Sequence, residues 1–376
     1  MNETTTNTKQ YAPGAYPDLP APIITTGAVG WVRTNLLSSP LNIILTVVAI
    51  WFLWTIIPPM VEWMFLDAVW SAGSRTECWA KMAEPEAAAC WAFIQSRFSL
   101  FIYGFYPEEL RWRVNLSFVL LILAIVPVLY DKAPGRKYGI WYSAAFPLIA
   151  AWLLVGGLGL TPVETDRFGG IMLTLIIGVT GIAFSLPIGI LLALGRQSRM
   201  PVMRILCVTF IEFIRGVPLI ALLFVASTML NYFLPPGTTF DLLMRVLIMV
   251  TLFSAAYVAE VVRGGLQAVA KGQHEAADAI GLTYWKTQRL IVLPQALKIS
   301  IPGIVNTFIG LFKDTTLVLI IGMLDPLGIG RSALADAEWA GLAREVYLFI
   351  ALFFFICCFS MSRYSLYLER KLHTGY

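Results

Sequence analysis

Residues 275–294 read EAADAIGLTYWKTQRLIVLP, and what lies on either side of them decides the fold. The stretch fits E-A-A-x3-G-x9-I-x-L-P, with Glu275, Ala276, Ala277, Gly281, Ile291, Leu293 and Pro294 at the fixed positions. It is polar, yet apolar runs at 242–263 and 301–322 bracket it. Gly272 to Ile280 reads as one short helix, and Gly281 suits the left-handed position that closes it. Thr283 can cap a second helix and Pro294 fits the first turn of a third. The 264–300 loop is therefore expected to fold as a compact knob. A helix lying flat on a membrane surface would need a larger apolar face than Ala276, Ala277 and Ile280 provide.

Composition sets the solvent. Apolar residues make up 58% of the chain and charged residues 13%. Mean hydropathy is +0.74, outside the ordinary range of a soluble enzyme. The His and Cys residues show no metal-ligand spacing, so no metal site is expected. The dipeptide Gly-Lys does not occur, which excludes a phosphate-binding P-loop; any ATP and Mg used must be bound by another chain. No nucleic-acid partner is indicated. Residues 1–40 lack the early apolar run of a secretory signal and read as a flexible tail.

A helix crossing the hydrocarbon core needs roughly 20 apolar residues, because only intrachain bonding satisfies its backbone there. Eight such runs occur: 41–64, 114–130, 138–160, 170–195, 211–234, 242–263, 301–322 and 345–367. The expected fold is an all-α, polytopic helical membrane protein of about eight spans. Basic residues cluster in alternate connections, at Lys132, Arg136 and Lys137, at Arg196, Arg199 and Arg204, through 263–298, and at Arg370 and Lys371. By the positive-inside rule both termini and the 264–300 loop are cytoplasmic.

The same rule puts 65–113 outside. Trp63, Trp70, Trp79, Trp91 and Trp112 in and beside this loop suggest helices at the membrane interface. Cys78 and Cys90 flank Glu84-Pro85-Glu86, a turn between two short helices; in an oxidising compartment they form a disulfide or remain two thiols. Cys207, Cys357 and Cys358 fall in or beside spans as packing residues. A boundary near Asp166–Gly170 separates a three-span extension (41–169) from a five-span region (170–376).

Further strings in that region point to a family: IEFIRGVPLI at 211–220, YVAEVVRGG at 257–265, GQHEAADAIGL at 272–282, LPQALKISIP at 293–302 and LFKDTTL at 311–317. Together with the E-A-A pattern they resemble the membrane (permease) subunits of polar amino-acid ABC importers, in order across 170–376. The extension makes the chain resemble the longer membrane subunit of general L-amino acid permeases. The resemblance implies a type I importer core that imports L-amino acids in the bacterial inner membrane. It implies pairing with a homologous second permease subunit, two ATPase subunits beneath, and a periplasmic amino-acid-binding protein, with membrane lipid around. The chain itself is then a translocation subunit with no catalytic residue. The knob at 272–294 is the lever, with Glu275 facing a basic groove and Ala276 and Ala277 keeping the contact face narrow.

Ionisable residues inside spans are functional suspects. Lys313 and Asp314, beside Thr315 and Thr316, either line a substrate cavity or hold their span by bonding neighbouring helices. Glu212 with Arg215, and Glu260 with Arg263, have the spacing of intrahelical pairs and are expected to shape a gate. Arg245, near a span end, is expected to snorkel. Pro187, Pro218 and Pro302 interrupt helical ladders, whether to move or to kink. A rival reading, an ion-coupled secondary amino-acid transporter, calls for midplane carboxylates and inverted repeats; only Asp314 lies deep in a span and no repeat is visible. A second rival is a membrane enzyme or an assembly scaffold: the absence of a metal cluster, a nucleophile–base pair or a phosphate loop counts against the enzyme, and purification without ATPase subunits would favour the scaffold.

Overall fold

The computed structural model describes residues 27–372 apart from 131, 230–231, 233–234 and 236–239, and among these the regular structure is helical. Two compact units part at 68–69, with residues 84–89 belonging to the first unit.

The first unit holds α1 (Gly27–Asn35) and α2 (Pro40–Leu66). A helix therefore occupies part of the tail expected to be flexible over 1–40, and residues 1–26 lie outside the described residues. Ser39 caps α2 by accepting the Asn42 amide at 3.2 Å. This helix is apolar on every face and buries no residue, as suits a segment whose solvent is lipid. Pro58 and Pro59 remove two backbone donors, and a π turn over Glu62–Leu66 follows them.

In the second unit the long connection folds into α3 (Arg75–Ala80), α4 (Trp91–Ser96) and α5 (Phe98–Tyr103). Next come α6 (Arg111–Leu129), α7 (Arg136–Val155), α8 (Gly170–Arg196), α9 (Pro201–Gly216), α10 (Leu219–Met229), α11 (Leu242–Ala268), α12 (Lys271–Ala279), α13 (Tyr284–Ile321), α14 (Pro326–Leu334) and α15 (Ala343–Leu372). Among the described residues, seven helices are long and apolar enough to cross a membrane, and an eighth crossing arises if α9 and α10 count as one.

The fifth expected span, 211–234, is where the structure departs most from the sequence reading. Helix α9 begins earlier, at Pro201, and meets α10 at a 102° bend. Pro218 lacks an amide and forces Val217 into extended backbone (φ −109°, ψ 132°). The seventh span likewise begins sooner. An α-helix does open at Leu293 with Pro294 in its first turn, as expected, and a π turn over Gln288–Val292 joins it without a break to the short helix at Tyr284–Thr287, so that α13 runs from Tyr284.

Helices α8 and α11 form the centre of the core. Gly189 permits the contact: a Cβ there would sit 2.6 Å from Val258 Cγ1 and 2.9 Å from the Ala255 carbonyl. Arg245 does not snorkel. It is buried, and its Nη1 donates to the carbonyls of Ala226 (3.1 Å) and Ser227 (2.7 Å).

Short helices α3–α5 form a small cap with its own core. The Cys78 and Cys90 sulfurs are bonded, with Cα atoms 6.2 Å apart. Phe93 and Phe101 are fully buried among Ile329, Trp339 and Val346. Arg75 donates to the Ala340 carbonyl at 2.6 Å and Arg97 pairs with Asp336, tying the cap to the segment before α15.

Candidate functional site

The knob is built by one helix stop. In α12 the Gly281 amide donates to the Asp278 carbonyl and the Leu282 amide to the Ala277 carbonyl, both at 3.0 Å. That pair of bonds is the Schellman closure, and it needs a left-handed residue at Gly281, where φ is +76°. Ala277 is fully buried, with Ile291 and Leu293 half-buried, so these positions hold the knob together. Gln295 Nε2 reaches Gln273 Oε1 at 3.1 Å and braces α12 against α13.

Glu275, Ala276, Gly281 and Pro294 face outward. Ile280, Tyr284, Trp285 and Leu290 are exposed as well, at 73%, 51%, 67% and 64%. Large apolar groups left exposed on a polar knob have the character of an interaction surface. Helix α12 supplies the polar half of that face and the start of α13 the apolar half.

A second polar cluster sits at the same end of the core. Glu260 on α11 receives Arg263 of its own helix, Arg196 Nη1 from the end of α8 at 3.3 Å, and Arg215 Nη1 from α9 at 3.7 Å. Arg196 Nη1 also donates to Glu212 at 2.8 Å. The pair expected between Glu212 and Arg215 does not form, because the two acids and Arg215 find better-placed partners across helices. The Glu260–Arg263 pair does form, and Arg263 further donates to Gln267 at 2.9 Å. Arg215 stacks over the Tyr257 ring at 5.6 Å. One carboxylate thus ties three helices together beside the knob.

Residues 185–374 match the family described as binding-protein-dependent transport system inner membrane component. The chain belongs to this family. It is 51% identical to the inner membrane amino-acid ABC transporter permease protein YhdY of Escherichia coli (strain K12), covering 96% of this chain and 97% of that protein. It is 49% identical to the glutamate/glutamine/aspartate/asparagine transport system permease protein BztC of Rhodobacter capsulatus, covering 94% of this chain and 95% of that protein. A crystal structure of an amino acid ABC transporter with histidines is similar at 29% identity and a TM-score of 0.48, over 54% of this chain and 92% of that chain.

The chain is therefore a multi-pass inner-membrane permease subunit of an ABC importer, a translocation component. Its ATP-hydrolysing and substrate-binding partners are separate chains. The ion-coupled alternative gains no support.

Along the permease's α13, the LFKDTTL string sits where the helix tightens into a 3-10 turn over Thr315–Ile321. Thr315 Oγ1 donates to the Phe312 carbonyl at 2.8 Å and Thr316 Oγ1 to the Lys313 carbonyl at 2.9 Å, both within their own helix. Lys313 is exposed and Asp314 half-buried. Among the described residues, neither is hydrogen-bonded or ion-paired to a neighbouring helix.

The sequence reading missed the hub role of Arg196, which it counted only as an orientation charge. Its position at the last turn of a span, with acids on two later helices, was the available signal. Asp325 was also missed: it is fully buried, caps α14 by accepting the Gly328 amide at 2.9 Å, and among the described residues its Oδ2 has no hydrogen-bond partner. Burial raises its pKa to about 6.

Proposed function

We propose that this permease carries L-amino acids inward, paired with a homologous but different permease subunit, and that the Gly272–Pro294 knob is its docking piece for an ATPase subunit. The reading rests on one observation: the exposed apolar patch of Ile280, Tyr284, Trp285 and Leu290 beside Glu275 and Ala276 on a rigidly closed knob. Both termini and the knob lie in the cytoplasm, and the cap of α3–α5 lies in the periplasm, where an amino-acid-binding protein delivers the substrate. Two ATPase subunits bind ATP and Mg. Their closure pushes the knob, and the Glu260 cluster carries the push to α8 and α9, which sit against α11. A change of state follows because the knob contacts the two ATPase states differently. Lys313, Asp314, Thr315 and Thr316 line the path, where an ammonium and a carboxylate match the two charges of an amino acid. Surrounding lipid covers the apolar faces.

The decisive test is a cysteine at Ala276 or Ile280, crosslinked in membranes from cells that express the whole transporter. An adduct with a nucleotide-binding chain supports the assignment. Crosslinks that never reach such a chain, or uptake that persists when ATP is exhausted, refute it.

A further inference from the structure

A cavity of about 640 Å³ opens between the α6–α7 hairpin and the α8–α11 pair. Its walls are almost wholly apolar, with Leu121, Phe146, Val179, Phe184, Leu247 and Ile248 among them. Polar groups gather at one mouth, where Thr165 hydrogen-bonds to Asp241 and Asp241 Oδ1 caps α11 through the Met244 amide at 2.8 Å. On α8 the wall runs from Met172 to Ile188. At ~1.5 Å per residue that is roughly 24 Å, most of a hydrocarbon core that is ~30 Å thick.

We infer that this crevice holds an acyl chain of a membrane phospholipid, whose headgroup lies at the Thr165–Asp241 mouth. The inference rests on the chain's being a membrane permease. Three occupants compete for such a space. A neighbouring helix, of this chain or of a partner, is the apolar competitor of a lipid chain, and the capture experiment below separates the two. Water has too few polar partners along these walls to be held. Left empty, the walls would forfeit their dispersion contacts. A polymethylene chain anchored by a headgroup at this mouth reaches roughly half of the ~30 Å core, the part of the crevice nearest Thr165 and Asp241. It also requires no hydrogen bonds from the walls. The lipid would then fill the seam between the extension hairpin and the core.

The full-length chain, reconstituted in vesicles containing a phosphatidylcholine with a diazirine at mid-chain, is irradiated and its adducts mapped by mass spectrometry. Adducts should concentrate on the wall peptides carrying Val179, Phe184 and Leu247. The crevice-filling variant Val179→Trp should lose most of that label while the outward faces, at Leu123 and Trp141, keep theirs. If Val179→Trp does not elute and melt as the wild type does, Thr180→Leu serves in its place, with the same loss expected. Label spread evenly over walls and outward faces overturns the inference. So does a photoreactive amino acid at 179 that captures a protein segment, whether residues 40–66 of this chain or a partner, instead of lipid. Failure of the ATPase crosslink described above would leave these outcomes unchanged, so the two readings fail separately.

Discussion

Replacing Glu260 with Gln removes the carboxylate that three guanidinium groups share while keeping its shape. The cluster holds Arg196, Arg215 and Arg263 against Glu212 and Glu260, three positive charges to two negative. The variant raises the local charge from +1 to +2. A bare charge pair at ~4 Å in an effective dielectric of ~20 interacts by about 4 kcal/mol. The side chains around Glu260 are 21–32% exposed, however, so solvent screens most of that. Taking ~0.7 kcal/mol for each of the three contacts gives a loss of about 2 kcal/mol. Glu212, 53% exposed and held by Arg196 alone, should cost under ~1 kcal/mol when changed to Gln. The ordering follows from geometry and does not depend on the absolute values. Thermal melting of the purified permease in detergent measures it, and raised salt should narrow the gap between wild type and variant. The double variant Glu260→Gln with Arg196→Gln returns the local charge to +1 and should recover part of the loss. Equal cost for the two carboxylates, or no recovery in the double variant, would refute the hub.

Gly281→Asp should abolish uptake while the chain still inserts. A Cβ there meets nothing within 4 Å, so the effect comes from the left-handed backbone and the altered docking face, whereas Gly281→Ala, which adds only backbone strain of about 1–2 kcal/mol, should retain partial uptake. Lys313→Glu should change the apparent affinity for transported amino acids in an uptake assay without loss of folded permease; loss of folded protein instead would mean that Lys313 holds the span. Asp325 supplies a pH signature. Its folded pKa, about 6, exceeds the ordinary carboxylate value of 3.8, so the folded state binds the proton more tightly than the unfolded one. Stability is then greatest below about pH 4 and falls as pH rises to about 6, by at most ~3 kcal/mol. Asp325→Asn, which keeps the cap, should remove this slope from melting curves recorded across that range.

The knob and most of the spans were legible because each rests on local rules. Gly281 closes α12 through its own backbone, and apolar runs long enough to span a bilayer name themselves. The cap is different. Trp residues in 65–113 suggested interfacial helices, but Phe93 and Phe101 find their burial on Ile329 and Val346, far along the chain. No local pattern encodes that pairing. The same limit explains the acids: spacing joined Glu212 to Arg215, and the fold gave Glu212 to Arg196 instead.

The bend between α9 and α10 shows how local and distant causes combine. Pro187 and Pro302 lie inside α8 and α13, which continue through them, yet at Pro218 the helix breaks. The local difference is the residue two before the proline: Gly216 at the break, against Ser185 and Ser300 elsewhere. Glycine is the weakest helix former short of proline itself, so the turn before Pro218 is the least able to hold its ladder. Breaking is half of the problem, since the π turn that follows leaves carbonyls in need of donors. Arg245, a span away on α11, supplies them at Ala226 and Ser227. A buried guanidinium with fixed acceptors is costly to remove, so the bend and its brace depend on each other. Arg245 is then a structural partner of Pro218, and the two together set the direction in which α10 leaves the break.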